Sequence, residues 1–190
     1  MTRKVITTSD GSKTIQIEEW NEQYHSVHGA VQEAEHVFIK NGLSLFKNQE
    51  LSILEIGFGT GLNALITLIR SKELNLKVHY SGVEAYPVLK GELEQLNYIS
   101  CLNASEFEDE FEKMHSSSWE VDIQLSKDFI LKKRQQDFSE IADSNSFDLV
   151  YFDAFGARVQ PKLWTEKIFK KMFDAMRPDS FLVTYSAKGS

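Results

Sequence analysis

The sequence predicts a Rossmann-like α/β fold, a mostly parallel sheet with helices on both faces, on three observations. An apolar run over residues 51–56 ends in Gly57-Phe58-Gly59-Thr60-Gly61, and a helix-forming stretch over 62–69 follows at once. That is the strand, glycine turn and helix with which such sheets open their ligand crevice. Further apolar strands recur at 77–83, 129–131, 147–152 and 181–185 with helical stretches between them, the alternation of a parallel sheet with crossover helices. Acids stand at or just past successive strand ends, at Glu55, Glu84, Asp137 and Asp153, where ligands of open parallel sheets bind.

At 190 residues the chain suits one domain with a full core. Residues 1–50 are expected to form a hairpin, loop and helix extension packed on the main domain, residues 51–190. Hydrophobic residues at 42% and charged residues at 26% are ordinary for a globular protein. No apolar run approaches the roughly 18 residues of a membrane span, and MTRKVITTSDG lacks the apolar core of a signal peptide. The single cysteine, Cys101, allows no internal disulfide and has no neighbours at metal-ligand spacing. A cytoplasmic enzyme without a bound metal or membrane partner is the natural expectation. The net charge of −7 argues against a broad basic surface for nucleic acid, while leaving room for a local basic patch.

In order, residues 4–8 and 14–18 are β-prone, and Asp10-Gly11 between them is a hairpin signal. Residues 20–29 (WNEQYHSVHG) read as a loop of the kind that lies over a site. Residues 30–40 are helical, with Val31, Ala34, Val37 and Phe38 on one face, and Asn41-Gly42 stops them. After the strand at 77–83, Pro87 opens a helix to about Leu96, and 105–114 is an acidic helix with a solvated face. Alternation at Val121, Ile123 and Leu125, then at Phe129 and Leu131, indicates strands turning near Ser126-Lys127. Lys132-Lys133-Arg134 is a basic cluster, either solvated surface or RNA-facing. Pro161 opens a helix to about Met176 with Leu163, Ile168, Phe169, Met172 and Phe173 inward. Residues 177–180 are a turn before the last strand.

Three glycines at every second position allow a sharp turn and leave no Cβ to fend off a ligand. The helix after them would aim unpaired N–H groups into the same space. A dinucleotide site is usually G-x-G-x-x-G; here it is E-x-G-x-G-x-G, which resembles motif I of S-adenosyl-L-methionine (SAM)-dependent methyltransferases. Glu84 ends the second strand at about 20 residues past the glycines, a distance at which an acid accepts both ribose hydroxyls. Carboxylates at three successive strand tips suit a cationic amino acid joined to a nucleoside better than a phosphate-rich cofactor.

Two passages are more specific. GFGTGLN (57–63) and YFDAFGARVQPKLWT (151–165), followed by LVTYSAKG (182–189), resemble the methyltransferase half of the bacterial tRNA 5-methylaminomethyl-2-thiouridine biosynthesis proteins, the MnmC family with its stand-alone MnmD form. Residues 24–43, with Ser26, Gly29 and EAEHVF at 33–38, resemble that family's N-terminal portion. The resemblance implies SAM as cofactor, cradled by Glu55, Gly57, Phe58, Gly59, Thr60, Gly61 and Asn63, with Glu84 on the ribose and Asp137 on the adenine. Asp153 would stand where methyl donor meets acceptor, either accepting the amine's proton or only ordering the loop. Tyr24 and Phe155 would stack on a flipped uridine, with packing the alternative for Phe155. The implied reaction methylates 5-aminomethyl-2-thiouridine at the wobble position, so the implied partner is the anticodon region of tRNA. Nothing here corresponds to the family's FAD-dependent oxidase domain, which implies a separate FAD-dependent partner enzyme for the preceding step. The family continues past the residue at which this chain stops, so the last C-terminal strands are expected to be missing.

Four other readings compete. A SAM-dependent methyltransferase of a small amine or protein fits the acidic charge. An aminopropyl transferase would need further carboxylates after Asp153. An NAD-dependent oxidoreductase is disfavoured by the glycine spacing, and Tyr185 and Lys188 stand one residue too close for a Tyr-x-x-x-Lys pair. A non-catalytic nucleotide-binding module is the remaining class.

Overall fold

The computed structural model describes residues 2–186. Strands β1 (Arg3–Thr7) and β2 (Lys13–Ile17) form the expected hairpin, and a short β3 (Glu22–Gln23) adds a third antiparallel strand where the sequence indicated loop. Helix α1 (Ala30–Ala34) continues into a wider π-helical segment, Glu35–Lys40, and ends at Asn41-Gly42.

The main sheet has six strands: β4 (Glu50–Ile56), β5 (Lys77–Glu84), β6 (Asp122–Ser126), β7 (Phe129–Gln135), β8 (Phe147–Phe152) and β9 (Met176–Thr184). Their order is β6-β7-β5-β4-β8-β9, parallel throughout except for the β6–β7 hairpin. The chain first adds strands to one side of β4 and then returns to the other, so the crevice opens between β4 and β8 at the switch point. Ile53, Leu54, Ile56, Leu149, Val150 and Phe152 are fully buried. A strand covered on both faces needs such a continuous apolar run.

Helix α2 (Leu62–Glu73) follows the glycine turn as expected. Pro87 does not open a helix: α3 is only Lys90–Leu93, followed by α4 (Tyr98–Cys101). The Tyr86 and Pro87 carbonyls, which would accept from the first helical turn, are instead held by Arg3. Helix α5 (Glu108–Ser116) and α6 (Glu166–Ala175) are each preceded by a short 3-10 turn. Between β7 and β8 lies only the 3-10 turn Phe138–Glu140, not the crossover helix of a regular alternation.

Phe173 is 72% exposed rather than inward. Ile168, Met172 and Ala175 set the buried stripe of α6, and Phe173 falls on the other side of a helix with 3.6 residues per turn. Residues 177–180 bulge within β9: Phe147 pairs Met176 but Leu149 pairs Phe181, and Asp179 has φ of 60°. Lys133 is buried, not solvated. Its Nζ donates to the His115 and Ser117 carbonyls, and Arg134 pairs with Asp143. Strand alternation sends residue 133 to the opposite face from 132 and 134. Lys188 lies outside the described residues. None of the described helices is long and apolar enough to cross a membrane.

Candidate active site

A cleft of about 500 Å³ opens at the carboxyl ends of β4, β5, β7 and β8. Its lining includes Tyr24, Gly57, Phe58, Gly59, Asn63, Glu84, Asp137, Asp153 and Phe155. Nine residues singled out from sequence therefore meet in one space. Glu55, Thr60 and Gly61 do not line it.

The glycine turn is shaped by its neighbours. The Gly57 and Phe58 N–H groups both donate to the Val83 carbonyl, fastening the turn to β5. Gly57 has φ of 91°, and a Cβ there would stand 2.6 Å from the Asp153 carbonyl oxygen. Gly59 has φ of 50°, and its Cβ would meet the Tyr24 ring at 2.9 Å. The space cleared by these two glycines is thus filled by the protein itself. They admit the Asp153 loop and the Tyr24 ring as walls of the cleft. Phe58 turns its ring into the core, edge-on to Trp119, and leaves its backbone at the cleft. Thr60 is buried with its hydroxyl 2.9 Å from that of Tyr98.

At the floor, three polar groups act as one unit. The Asn63 amide donates to Glu55 Oε1 at 2.9 Å and to Asp153 Oδ2 at 2.8 Å. Asn63 starts α2 and Glu55 precedes the end of β4, while the Asp153 N–H donates to the Ile56 carbonyl at 2.8 Å. The glycine turn therefore brings strand end, helix start and the β8 loop to one point. Burial raises the Asp153 pKa to about 8; the Asn63 hydrogen bond opposes this and Glu33 adds to it. Glu55 is also held well above the usual carboxyl range, first by its complete burial and then by Asp153. A carboxyl group deprived of water keeps its proton, so Glu55 serves as a neutral spacer behind Asn63. Asn63 Oδ1 and Glu55 Oε2 are buried without a hydrogen-bond partner among the described residues.

At the end of β5, the Glu84 carboxylate accepts from the Gly59 N–H at 3.1 Å and the Tyr86 N–H at 2.8 Å, one on each oxygen. Asp137 is exposed at the rim. Its Oδ1 accepts from the Ser139 N–H at 2.8 Å, and its hydrogen bonds with Ser139 lower its pKa. Aromatic groups wall the other end. Phe155 meets Tyr24 and Trp20 edge-on, with ring centroids 5.0 and 5.5 Å apart. Its carbonyl accepts from Trp164 Nε1 at 2.7 Å. Trp164, just before α6, and Phe169 within it both pack on Phe152 and are partly buried.

Among the further lining residues, Arg3, Trp20, Tyr86, Phe138 and Tyr185 had been given no role at the site. His25 also lines the cleft, and burial pushes its pKa down to about 4. A neutral imidazole there, with Nδ1 3.0 Å from Thr14 Oγ1, is a packing group. The fit to SAM is good on the cleft's own terms. Glu84 and Asp137 present carboxylates that favour a cation, the unpartnered Asn63 Oδ1 awaits a donor, and Glu84 offers an acceptor to hydroxyls.

A family described as S-adenosyl-L-methionine-dependent methyltransferase matches residues 104–190. The tRNA 5-methylaminomethyl-2-thiouridine biosynthesis bifunctional protein MnmC of Campylobacter fetus is 28% identical over 171 residues, covering 86% of this chain and 28% of the relative. That of Idiomarina loihiensis is 29% identical over 186 residues, covering 88% and 30%. The crystal structure of MnmC2 from Aquifex aeolicus superposes with a TM-score of 0.77 at 26% identity, covering 98% of this chain and 60% of that one. By sequence and by fold, the chain is MnmC-like. It has the fold of a SAM-dependent methyltransferase, and the family that matches residues 104–190 is of that group. The chain spans less than a third of the length of these two MnmC proteins.

Proposed function

We propose that this MnmC-like chain transfers a methyl group from SAM to the primary amine of 5-aminomethyl-2-thiouridine at the tRNA wobble position, giving the 5-methylaminomethyl form. The observation that carries the reading is the Asp153 carboxyl group, held by Asn63 at 2.8 Å in a cleft walled by Trp20, Tyr24 and Phe155. SAM, when bound, supplies an electrophilic methyl on a positively charged sulfur.

A free alkylamine has a pKa near ~10, like lysine, and its protonated form has no lone pair with which to attack. Asp153 in its ionised form meets the arriving ammonium, takes one proton from it, orients the neutral amine and gives the proton up to solvent after transfer. With SAM held by the glycine turn and Glu84, the neutral amine would take the methyl group as the carbon–sulfur bond gave way, and the charge lost by sulfur would appear on a secondary ammonium product. Asn63 holds the Asp153 carboxyl group through Oδ2 and leaves its other oxygen for the amine. Tyr24 and Phe155, which meet edge-on, form the wall against which the extruded base stacks, since enzymes acting on a base take it out of the stack. Much of the acceleration comes from fixing amine, methyl and sulfur in line. Glu84 holds the ribose, and Asp137 accepts from the adenine amino group.

Methylation of a small amine or a protein by the same floor is the second reading, favoured by the acidic net charge of −7. Mass spectrometry of wobble uridines from cells lacking the protein separates the two. Accumulation of 5-aminomethyl-2-thiouridine with loss of the methylated form supports the tRNA reading, and an unchanged nucleoside profile removes it.

A further inference from the structure

Arg3 belongs to no motif of the methyltransferase sheet. It opens β1 of the small N-terminal sheet, yet its side chain is only 12% exposed. The guanidinium reaches across to the segment after β5. Nη2 donates to the Tyr86 carbonyl at 2.8 Å, and Nη1 donates to the Pro87 carbonyl at 3.2 Å and to Glu92 Oε2 at 3.3 Å. Its Cζ also stands 5.9 Å from the centre of the Tyr24 ring, the wall that abuts Gly59. Glu92 in turn accepts from the Leu89 N–H at 2.7 Å, which closes the loop that Arg3 grips.

Tyr86 links this grip to the cofactor site. Its carbonyl is held by Arg3, and its N–H is one of the two donors that fix the Glu84 carboxylate. The other donor, the Gly59 N–H, belongs to the glycine turn that Tyr24 backs. Both donors to Glu84 are therefore braced by groups from the N-terminal extension. A planar guanidinium with donors in a fixed fork suits two adjacent carbonyls and a carboxylate in a way that a lysine ammonium does not. We propose that Arg3 is a positioning residue for ribose recognition, setting the Glu84 carboxylate through the Tyr86 peptide. This rests on the reading of Glu84 as the ribose acceptor. It makes the N-terminal sheet part of the cofactor site rather than an appendage.

The test is calorimetric affinity for S-adenosylhomocysteine (SAH) and its 2′-deoxyribose analogue in the parent, Arg3→Met, Arg3→Lys, Glu84→Gln and the Arg3→Met/Glu84→Gln double variant. Thermal melting is recorded for each. Arg3→Met is expected to weaken SAH about tenfold, the worth of one hydrogen bond to a charged group. It is also expected to shrink the penalty for the missing 2′-hydroxyl from about tenfold to about twofold. The double variant should bind within about twofold of Glu84→Gln alone, because both act on one contact. Arg3→Lys should fall between parent and Arg3→Met, and carries the test if Arg3→Met fails to fold. A variant that melts lower yet keeps the parent's hydroxyl penalty shows a merely structural arginine and overturns the proposal. So do effects of Arg3 and Glu84 that multiply independently. Parent protein that does not bind SAH overturns the ribose reading, and this inference with it.

Discussion

Asp137 and Asp153 follow two strands of the same sheet, face the same cleft and titrate in opposite directions. Asp137 is exposed past β7, and hydrogen bonds from Ser139 keep it a fixed anion with a lowered pKa. Asp153 follows β8 at the cleft floor, where burial raises its pKa to about 8 against the pull of Asn63. Position at a strand tip is shared, so the difference comes from solvent and neighbours. Only the aspartate deprived of water can take and give a proton near neutral pH.

The most severe test of this asymmetry is to neutralise each aspartate in turn. Asp153→Asn is expected to slow single-turnover methyl transfer by about 10²–10⁴-fold, the usual worth of a positioned proton acceptor. Cofactor affinity should stay within a few-fold, because the amide still meets Asn63. A rate within about tenfold of the parent would remove the proton-accepting role and leave Asp153 as a loop anchor.

Next in size is a change that moves one aspartate and not the other. Gly57→Ala places a Cβ 2.6 Å from the Asp153 carbonyl oxygen on backbone with φ of 91°. Backbone in that region costs a residue with a Cβ about 1–3 kcal/mol, and the clash must push the β8 loop outward. We expect a lower melting temperature and methyl transfer reduced at least about tenfold, with the Asp137 rim undisturbed. A variant as active as the parent would mean that the loop is not held by this contact.

The pH dependence of stability sharpens the same contrast. Asp153 has a folded pKa raised from 3.8 to about 8. Between those values the folded state keeps a proton that the unfolded state gives up, so stability falls as pH rises through the window. Asp137 has a lowered pKa, so its contribution is present above 3.8 and is lost as pH falls below it. Between about pH 5 and pH 8 the ligand-free Asp153→Asn variant should lose less melting temperature with rising pH than the parent does. Asp137→Asn should leave that loss unchanged and flatten only the acid side.

Much of this arrangement was legible in the chain, and the reason is local. The strands from Glu50 to Thr184 are apolar runs bounded by turns, and strand tips in a parallel sheet converge by topology. What escaped is non-local. Arg3 lies 83 residues from the Tyr86 carbonyl that it holds, and no spacing rule announces such a contact. The same contact stops the helix that Pro87 would otherwise have opened. The glycines were legible as a turn but not in their use, since only the folded chain shows Asp153 and Tyr24 filling the space. Lys133 read as one of three charges in a row, and strand alternation buried it under Trp119. The pKa contrast of the two aspartates was invisible too, because it depends on which strand tip the folded chain buries.

The smallest expected effect completes the comparison. Asp137 has one oxygen committed to Ser139 and one free for a ligand, on an exposed side chain. A hydrogen bond in that setting is worth about 0.5–1.5 kcal/mol, or roughly two- to tenfold in affinity. Asparagine keeps the side-chain carbonyl, which can accept from the Ser139 N–H or from an adenine amino group, and it is as good a cap as aspartate for the turn that follows. Asp137→Asn should therefore change SAH affinity by no more than about threefold, and Asp137→Ala, which lacks any acceptor, by up to about tenfold. Isothermal calorimetry on the two variants reads the difference. If Asn already costs more than tenfold, the negative charge of Asp137 matters to the cation in the cleft, and the division between a charged rim and a proton-exchanging floor fails.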